Sequence, residues 1–441
     1  MEEFDIAIIG GGPAGIMAAI AISSDLNVVL LEKNSSLGKK LLITGGGRCN
    51  ITNGKPIKKL LNSFHDKNFL KHSFYTFTNE MLLDLFRNKG LDFITEDNNR
   101  IFPETEKSLD VLNILKDYLS DITIKYNYNV SDIKKDGNFI INNDIIAKKV
   151  IIATGGATFS KTGSTGDGYL LTDNPLTNIK YALVPLVTKK DLSDIAGITL
   201  YEVIIKYKHF KISGDVLISH VGLTGPGILN ISTEISRNAD YNILKDADVK
   251  LNESLAIDLC PNFNQDELRF KFTNDFQDKG KTYIKNYLKY FLTNNFIPFF
   301  LEEAGIDGET QLSRINKKQK NKLVESLKNF KFEIIGFNKD LSHVTLGGIA
   351  IDNVNPKTME STIMEDLYFA GEILEPVGPT GGYNLKIAFS TGYLAGLSAS
   401  KKIKKWIIFS MILLFRLMSL FQHQLHKICH INSFFLLLSM F

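Results

Sequence analysis

The chain has 441 residues, 44% hydrophobic and 22% charged, a composition that excludes a disordered chain and is too long for one small core, so two or three globular domains are expected. Its 51 basic and 48 acidic side chains leave a net charge of +3, so no global field favours a polyanion and no nucleic-acid partner is expected. Cys49, Cys260 and Cys429 lie far apart with no Cys-x-x-Cys pair, which argues against a zinc ribbon or disulfide framework and fits a reducing, cytoplasmic compartment.

The first element is an apolar strand, Asp5-Ile6-Ala7-Ile8-Ile9, running into Gly10-Gly11-Gly12-Pro13-Ala14-Gly15. The acidic start, Met1-Glu2-Glu3, is not that of a secretory leader. A helical stretch over 16–22 and a second apolar strand over 27–31 follow, ending on Glu32. Gly10 permits the tight turn, Gly12 lets backbone approach a pyrophosphate, and Gly15 lets helix and strand pack closely. The helix N-terminus favours the phosphates, and Glu32 is spaced to accept hydrogen bonds from ribose hydroxyls. A glycine-rich turn alone is a weak signal. Strand, glycines, helix, strand and terminal acid in this order mark a dinucleotide site.

Helical periodicity recurs over 69–77, 80–88 and 109–119, the last with Ser108 as its N-cap. Segments 122–126, 130–134 and 138–142 read as strands, with a turn at Asp136-Gly137. The strand over 149–154 is apolar and ends in Gly155-Gly156, as a buried parallel strand entering a ligand crevice should. Beyond Pro185 the pattern alternates (197–206 and 214–219), then becomes helical over about 265–329. From Val344 glycine-rich strands return, the last ending Ala370-Gly371-Glu372. The economical organisation is an α/β nucleotide domain in two parts, 1–185 and 342–400. An insertion fills 186–341, β-rich over 186–260 and 330–341 and helical over 261–329.

Residues 401–441 fall outside this plan. A basic Lys401-Lys402-Ile403-Lys404-Lys405 precedes an apolar run over 406–421, interrupted by Arg416 and shorter than the ~20 residues a spanning helix needs. Membrane contact through it is not favoured; an appendage is expected. His423, His426, Cys429 and His430 have ligand-like spacing but no framing element, so no metal site is expected.

The fingerprint does not by itself separate FAD from NAD. Three glycine-rich segments around one sheet tilt it to FAD: the fingerprint, Ala153-Thr154-Gly155-Gly156, and Ala370-Gly371-Glu372 leading to Gly378-Pro379-Thr380-Gly381-Gly382-Tyr383-Asn384-Leu385. A helix start at the last segment suits the edge of an isoalloxazine, where backbone N–H groups stabilise negative charge on the reduced ring.

Leu41-Leu42-Ile43-Thr44-Gly45-Gly46-Gly47-Arg48-Cys49-Asn50-Ile51-Thr52-Asn53 resembles the signature of a bacterial flavoprotein family of NAD(P)/FAD-dependent oxidoreductases. That family is related to aminoacetone oxidase and to a bile-acid dehydro-steroid reductase. Similar matches are Thr162-Gly163-Ser164-Thr165-Gly166-Asp167-Gly168-Tyr169, His220-Val221-Gly222-Leu223-Thr224-Gly225-Pro226-Gly227, Lys357-Thr358-Met359-Glu360-Ser361 and Gly381-Gly382-Tyr383-Asn384-Leu385. The resemblance covers about 4–399 and implies a Rossmann-like FAD domain in two parts, a β-barrel-like insert and a helical insert. Glu375-Pro376-Val377-Gly378-Pro379 departs from it, since many relatives carry an aspartate-containing turn there.

The expected cofactor contacts are Gly10, Gly12, Pro13, Ala14, Gly15, Glu32, Lys33, Lys40, Thr44, Gly47, Arg48, Asn50, Val130, Thr154, Gly155, Gly156, Gly371, Glu372, Gly382, Tyr383 and Asn384. Arg48 suits a phosphate or carboxylate; Cys49, without a paired cysteine, reads as packing. His220, Tyr383 and Asn384 are the catalytic candidates, His220 as an acid or base and the other two at the ring edge; His343 has a weaker claim. The expected activity is flavin-mediated hydride transfer on a small organic substrate, with NAD(P)H as a transient electron donor because no second complete fingerprint exists. An oxygen-using amine oxidase is the alternative. A flavin-binding structural or RNA-associated protein is the alternative outside enzymes.

Overall fold

The N-terminal apolar run forms strand β1 (Glu2–Ile9) in the computed structural model, which describes residues 1–245 and 249–403. Helix α1 (Pro13–Ala21) carries the chain to β2 (Val28–Leu31), parallel to β1 with Ile6 opposite Val28. Between β2 and the next sheet strand lie α2 (Ile57–Leu61) and α3 (Lys67–Thr76), then helices Asn79–Arg87 and Ser108–Asp117. Strand β3 (Thr123–Lys125) pairs in parallel outside β2. Strands β4 (Ile133–Asp136) and β5 (Asn138–Ile141) make a hairpin around Gly137. Strand β6 (Ile145–Ile152) continues that meander with its first half and lies parallel to β1 along its length. The centre of this sheet is buried, which is why β2 and the final residues of β1 (Ile6 to Ile9) and β6 (Val150 to Ile152) are apolar without alternation.

The insertion is a closed six-stranded barrel. Its strands are β7 (Leu186–Thr188), β8 (Thr199–Tyr207), β9 (Phe210–Ile218), β10 (Gly222–Thr224), β11 (Lys250–Asp258) and β12 (Phe330–Phe337). They pair antiparallel in the order β7-β10-β9-β8-β11-β12, and β12 closes on β7. Helix α4 (Pro226–Asn238) packs on β9 and buries Ile228, Ile231 and Ile235 in the barrel's core. Between β11 and β12 stand the helices, including α5 (Gln265–Asp278) and α6 (Lys317–Lys328). Each opens with a reciprocal capping box, Asn264 with Glu267 and Asn316 with Gln319.

The chain then returns to the first sheet. Strand β13 (Val344–Leu346) pairs with Lys180–Ala182 at the junction, and β14 (Leu367–Phe369) lies parallel to the second half of β6. A final helix, α7 (383–403), packs on α1 so closely that a Cβ at Gly392 or Gly396 would lie 2.2 or 2.1 Å from the carbonyl oxygens of Ala14 and Ala18. The two ends of the described chain therefore share one core.

Several local expectations are corrected. Ser108 is not a cap: it lies inside its helix, and its hydroxyl donates to the Leu42 carbonyl instead (2.8 Å). The strand expected over 130–134 begins at Ile133, and Val130 belongs to the loop before it. The two alternating segments over 197–206 and 214–219 belong to one longer hairpin, turning at Lys208-His209. Glu372 lies in a short 3-10 turn after β14. The expected readings of 404–441, including the apolar run and the His/Cys group, lie outside the described residues.

Candidate cofactor site

One cleft runs along the carboxyl ends of the parallel strands, about 1330 Å³ counting the solvent at its open mouth. At one end β1 turns at Gly10, whose φ of +104° and 2.5 Å approach of an added Cβ to the Ala153 carbonyl admit only glycine. A Cβ on Gly12, by contrast, meets no protein atom within 4 Å; it points into open cleft. Glu32 ends β2, nearly buried. Its Oε2 accepts from Gly11 N (2.7 Å), and Oε1 accepts from the backbone and side-chain nitrogens of Asn34 (both 2.7 Å). A carboxylate has about four acceptor positions, so capacity remains for a ligand hydroxyl. Lys33 reaches across to Thr165 (2.5 Å) and Asp167 (2.8 Å), clasping the glycine-rich 162–168 segment against the same end.

At the other end Lys40 Nζ pairs with Glu372 (2.9 Å) and donates to Thr158 Oγ1 (3.2 Å). Glu372 Oε1 also accepts from Thr345 N (2.9 Å), and Thr345 Oγ1 accepts from Ala157 N (2.8 Å), so Thr345 of β13 links the segments that follow β6 and β14. His343 opens on this part of the cleft, its ring 5.8 Å from that of Phe159. Enough protein surrounds it that desolvation, and then the Lys40 ammonium, lower its pKa. Thr154 Oγ1 lies buried in the wall with no partner among the described residues, an orphaned group a bound ligand would satisfy.

Of the expected contacts, Gly10, Gly12, Pro13, Ala14, Glu32, Lys33, Lys40, Thr44, Val130, Thr154, Gly155, Glu372 and Asn384 line this cleft. Gly15, Gly47, Arg48, Asn50, Gly156, Gly371, Gly382 and Tyr383 stand behind or beside it. Gly15 allows the helix to touch the strand: an added Cβ would lie 1.9 Å from Gly10 O. Arg48 pairs with Glu96 and Glu106 and covers the Phe102 ring at 4.3 Å, so its charge is spent on protein groups. With its amide assigned so that the oxygen faces Gly382 N, Asn50 accepts from that N–H (3.1 Å) and donates to the carbonyls of Ile101 (3.2 Å) and Thr52 (3.0 Å). It clips the 44–50 turn to the start of α7. Asn384 bonds both backbone groups of Gly378 (2.9 Å each), and Tyr383, nearly buried, accepts from Lys55 Nζ (3.0 Å).

His220 is exposed at the β9–β10 turn, away from the cleft. Cys49 is fully buried in a left-handed backbone conformation (φ +62°), and burial pushes its thiol up to about 12. Tyr128, Asn129 and the 162–168 segment are cleft residues not named among the expected contacts; the dense glycines of 162–168 were that segment's signal, and Tyr128 and Asn129 carried none.

Among known proteins, the family described as HI0933-like protein Rossmann domain matches residues 4–398. The chain is similar to the 3-dehydro-bile acid delta(4,6)-reductase of Clostridium scindens, 29% identical over 90% of this chain and 99% of that one. It is similar also to proteins named ribosomal RNA dihydrouridine synthase. That of Haemophilus influenzae is 28% identical over 90% of this chain and 98% of its own. That of Escherichia coli is 27% identical over 89% and 97%. The expected kinship with a bile-acid reductase is thereby borne out. The chain belongs to the HI0933-like Rossmann family and is an oxidoreductase.

Proposed function

We propose that this enzyme is FAD-dependent and reduces an electron-poor carbon–carbon double bond of an organic substrate, with NAD(P)H as electron donor. The observation that carries this reading is the single cleft joining the Gly10–Gly12 turn and Glu32 at one end to Lys40, Glu372 and Asn384 at the other. The residues fit the cofactor: open space before Gly12, spare acceptor capacity on Glu32 and an unpartnered Thr154 hydroxyl. Glu32 would hold ribose hydroxyls, the first turn of α1 the pyrophosphate, and Lys40, Thr44 and the start of α7 the flavin ring. Bound there, the flavin supplies hydride acceptance from a nicotinamide and hydride donation to a substrate. The protein binds and orients, and the Lys40–Glu372 pair fixes the charge beside the ring.

The names of the relatives support the reaction type, since a delta(4,6)-reductase and a dihydrouridine synthase both add hydrogen across a double bond. A small organic substrate is the first reading. The two RNA-directed relatives, covered over nearly their whole length, favour a second: a uracil ring within RNA. A soluble, cytoplasmic enzyme fits these substrates; among the described residues no helix is long and apolar enough to cross a membrane.

The test is anaerobic reduction of the protein-bound flavin by NADPH and NADH, followed by reoxidation with a conjugated enone, a uridine-containing RNA or oxygen. Bleaching by a nicotinamide and recolouring by an enone or RNA is expected. Peroxide formation from an amine without nicotinamide would replace this reading with the oxidase, and a flavin no donor reduces would end the enzyme reading.

A further inference from the structure

A net charge of +3 conceals one strongly uneven region. Residues 55–72 carry Lys55, Lys58, Lys59, Lys67 and Lys71 against a single acid, Asp66. Helices α2 and α3 turn their apolar residues inward, Leu60 and Leu61 on α2 and Phe69, Leu70 and Phe74 on α3. Lys58, Lys59, Lys67 and Lys71 therefore share the outer surface with His72 and with Tyr75, which is 53% exposed. None of these four lysines makes an ion pair among the described residues, although lysines elsewhere do, such as Lys33 with Asp167 and Lys125 with Glu2.

The arrangement is unfavourable to the helix itself. Lys67 and Lys71 are like charges four residues apart, and Lys67 occupies the first turn, where a cation opposes the macrodipole. The Asp66 side chain makes no capping bond that would offset this. A row of unneutralised cations held at local cost has an anionic partner outside the chain as its simplest explanation. The helices that carry the row are anchored against the cleft wall. Phe64, between the two helices, packs edge-on against Tyr383 at 5.7 Å, Lys55 donates to the Tyr383 hydroxyl, and the next residue, Asn384, lines the cleft.

We infer that the outer face of α2 and α3 docks the sugar–phosphate backbone of an RNA, presenting one of its bases to the cleft beside Asn384. Clustered, unpaired lysines neutralise backbone phosphates, and an exposed tyrosine among them offers a stacking surface for a neighbouring base. The inference rests on the reductase reading and assigns its substrate to the second of the two classes.

The test uses the full-length, FAD-loaded protein and a fluorescein-labelled oligouridylate of about 20 nucleotides, enough for several phosphate contacts. Anisotropy titrations across a salt series should show binding that weakens steeply with salt. Combined Lys58→Glu, Lys59→Glu, Lys67→Glu and Lys71→Glu should weaken it at least about tenfold and flatten the slope of log K against log salt by about 3, at ~0.7 per lost contact. Charge reversal on α6 (Lys317→Glu, Lys318→Glu, Lys322→Glu) should leave binding unchanged. If the fourfold variant does not fold, Lys67→Gln with Lys71→Gln should flatten the slope by about 1.4. No binding, equal loss from both faces, or capture of phosphatidylserine vesicles but not RNA by α2 and α3 would overturn the inference. Each arm also measures NADPH reduction and enone turnover. Their persistence in the unsubstituted protein without RNA binding sinks the docking surface alone, whereas a flavin that no donor reduces sinks the reductase reading.

Discussion

Gly12 and Gly15 show how different two glycines of one fingerprint are. A side chain at Gly15 would drive into the Gly10 carbonyl and break the α1–β1 contact, a folding defect. A side chain at Gly12 meets only open cleft, so Gly12→Val should leave thermal stability of the apoprotein unchanged while abolishing FAD binding; flavin content after reconstitution measures it, and normal FAD content would refute the placement of the pyrophosphate. Lys386 makes a different kind of prediction. It is fully buried on α7, donates to the Phe77 carbonyl (2.6 Å), and burial pushes its pKa down from 10.5 to about 7. Between about 7 and 10.5 the unfolded chain then binds more protons than the folded one, so this residue makes stability rise with pH across that window; below it both states are protonated and its contribution is flat. Lys386→Met should flatten the rise in Tm from neutral to alkaline pH. A rise of undiminished steepness would show that the lysine is solvated as an ion.

Between elements, the contacts that shape the site join segments far apart in the sequence, and that is where sequence reading stops. The β1–α1–β2 unit and β6 were legible because their apolar runs, glycines and terminal acid are local and leave one chemical reason for their order. Barrel closure was expected only through family resemblance, since register between β7 and β12 leaves no local trace. Helix α4 was hidden behind Gly225-Pro226-Gly227, which reads as a turn although Gly227 is what lets the helix press onto the β8–β9 hairpin. Arg48 follows three glycines and so reads as a ligand contact, but Glu96 and Glu106, remote in sequence, take its charge. Asn50 is the converse: its amide ties the 44–50 turn to Gly382, more than three hundred residues away. Asn50→Ala leaves Gly382 N and two carbonyls without this partner, at about 1–3 kcal/mol. The variant should fold with a lower Tm and bind FAD more weakly, by titration of the apoprotein. Unchanged affinity with a lowered Tm would mean that the clip serves the fold alone.

Across the whole molecule, the first and last described segments are bound to each other, and this decides where the chain can be cut. Helix α7 begins at the cleft with Asn384 and lies on α1 through Gly392 and Gly396. It is fastened near its described end by Lys402, whose Nζ stands 2.9 Å from carboxylate oxygens of Glu360, Glu365 and Asp366. Asp366 in turn pairs with the nearly buried Lys149 of β6, so the network reaches the central sheet. A chain ending at Lys402 keeps every one of these contacts; a chain ending at Ala399 loses Lys402 and leaves three carboxylates around one remaining lysine. The first should match the full-length protein in FAD content and Tm. The second should be less stable by roughly 1–2 kcal/mol, between the exposed and buried limits for ion pairs, and should regain part of that loss at high salt, where the uncovered carboxylates repel less. The comparison also tests the apolar 406–421 run, which Arg416 interrupts. Full-length protein that fractionates with membranes, beside a Lys402-terminated chain that does not, would make the run an anchor. A Lys402-terminated chain that loses flavin would make it part of the core. With the described part of α7 fastened at both ends, equal flavin content and equal partition of the two chains are expected.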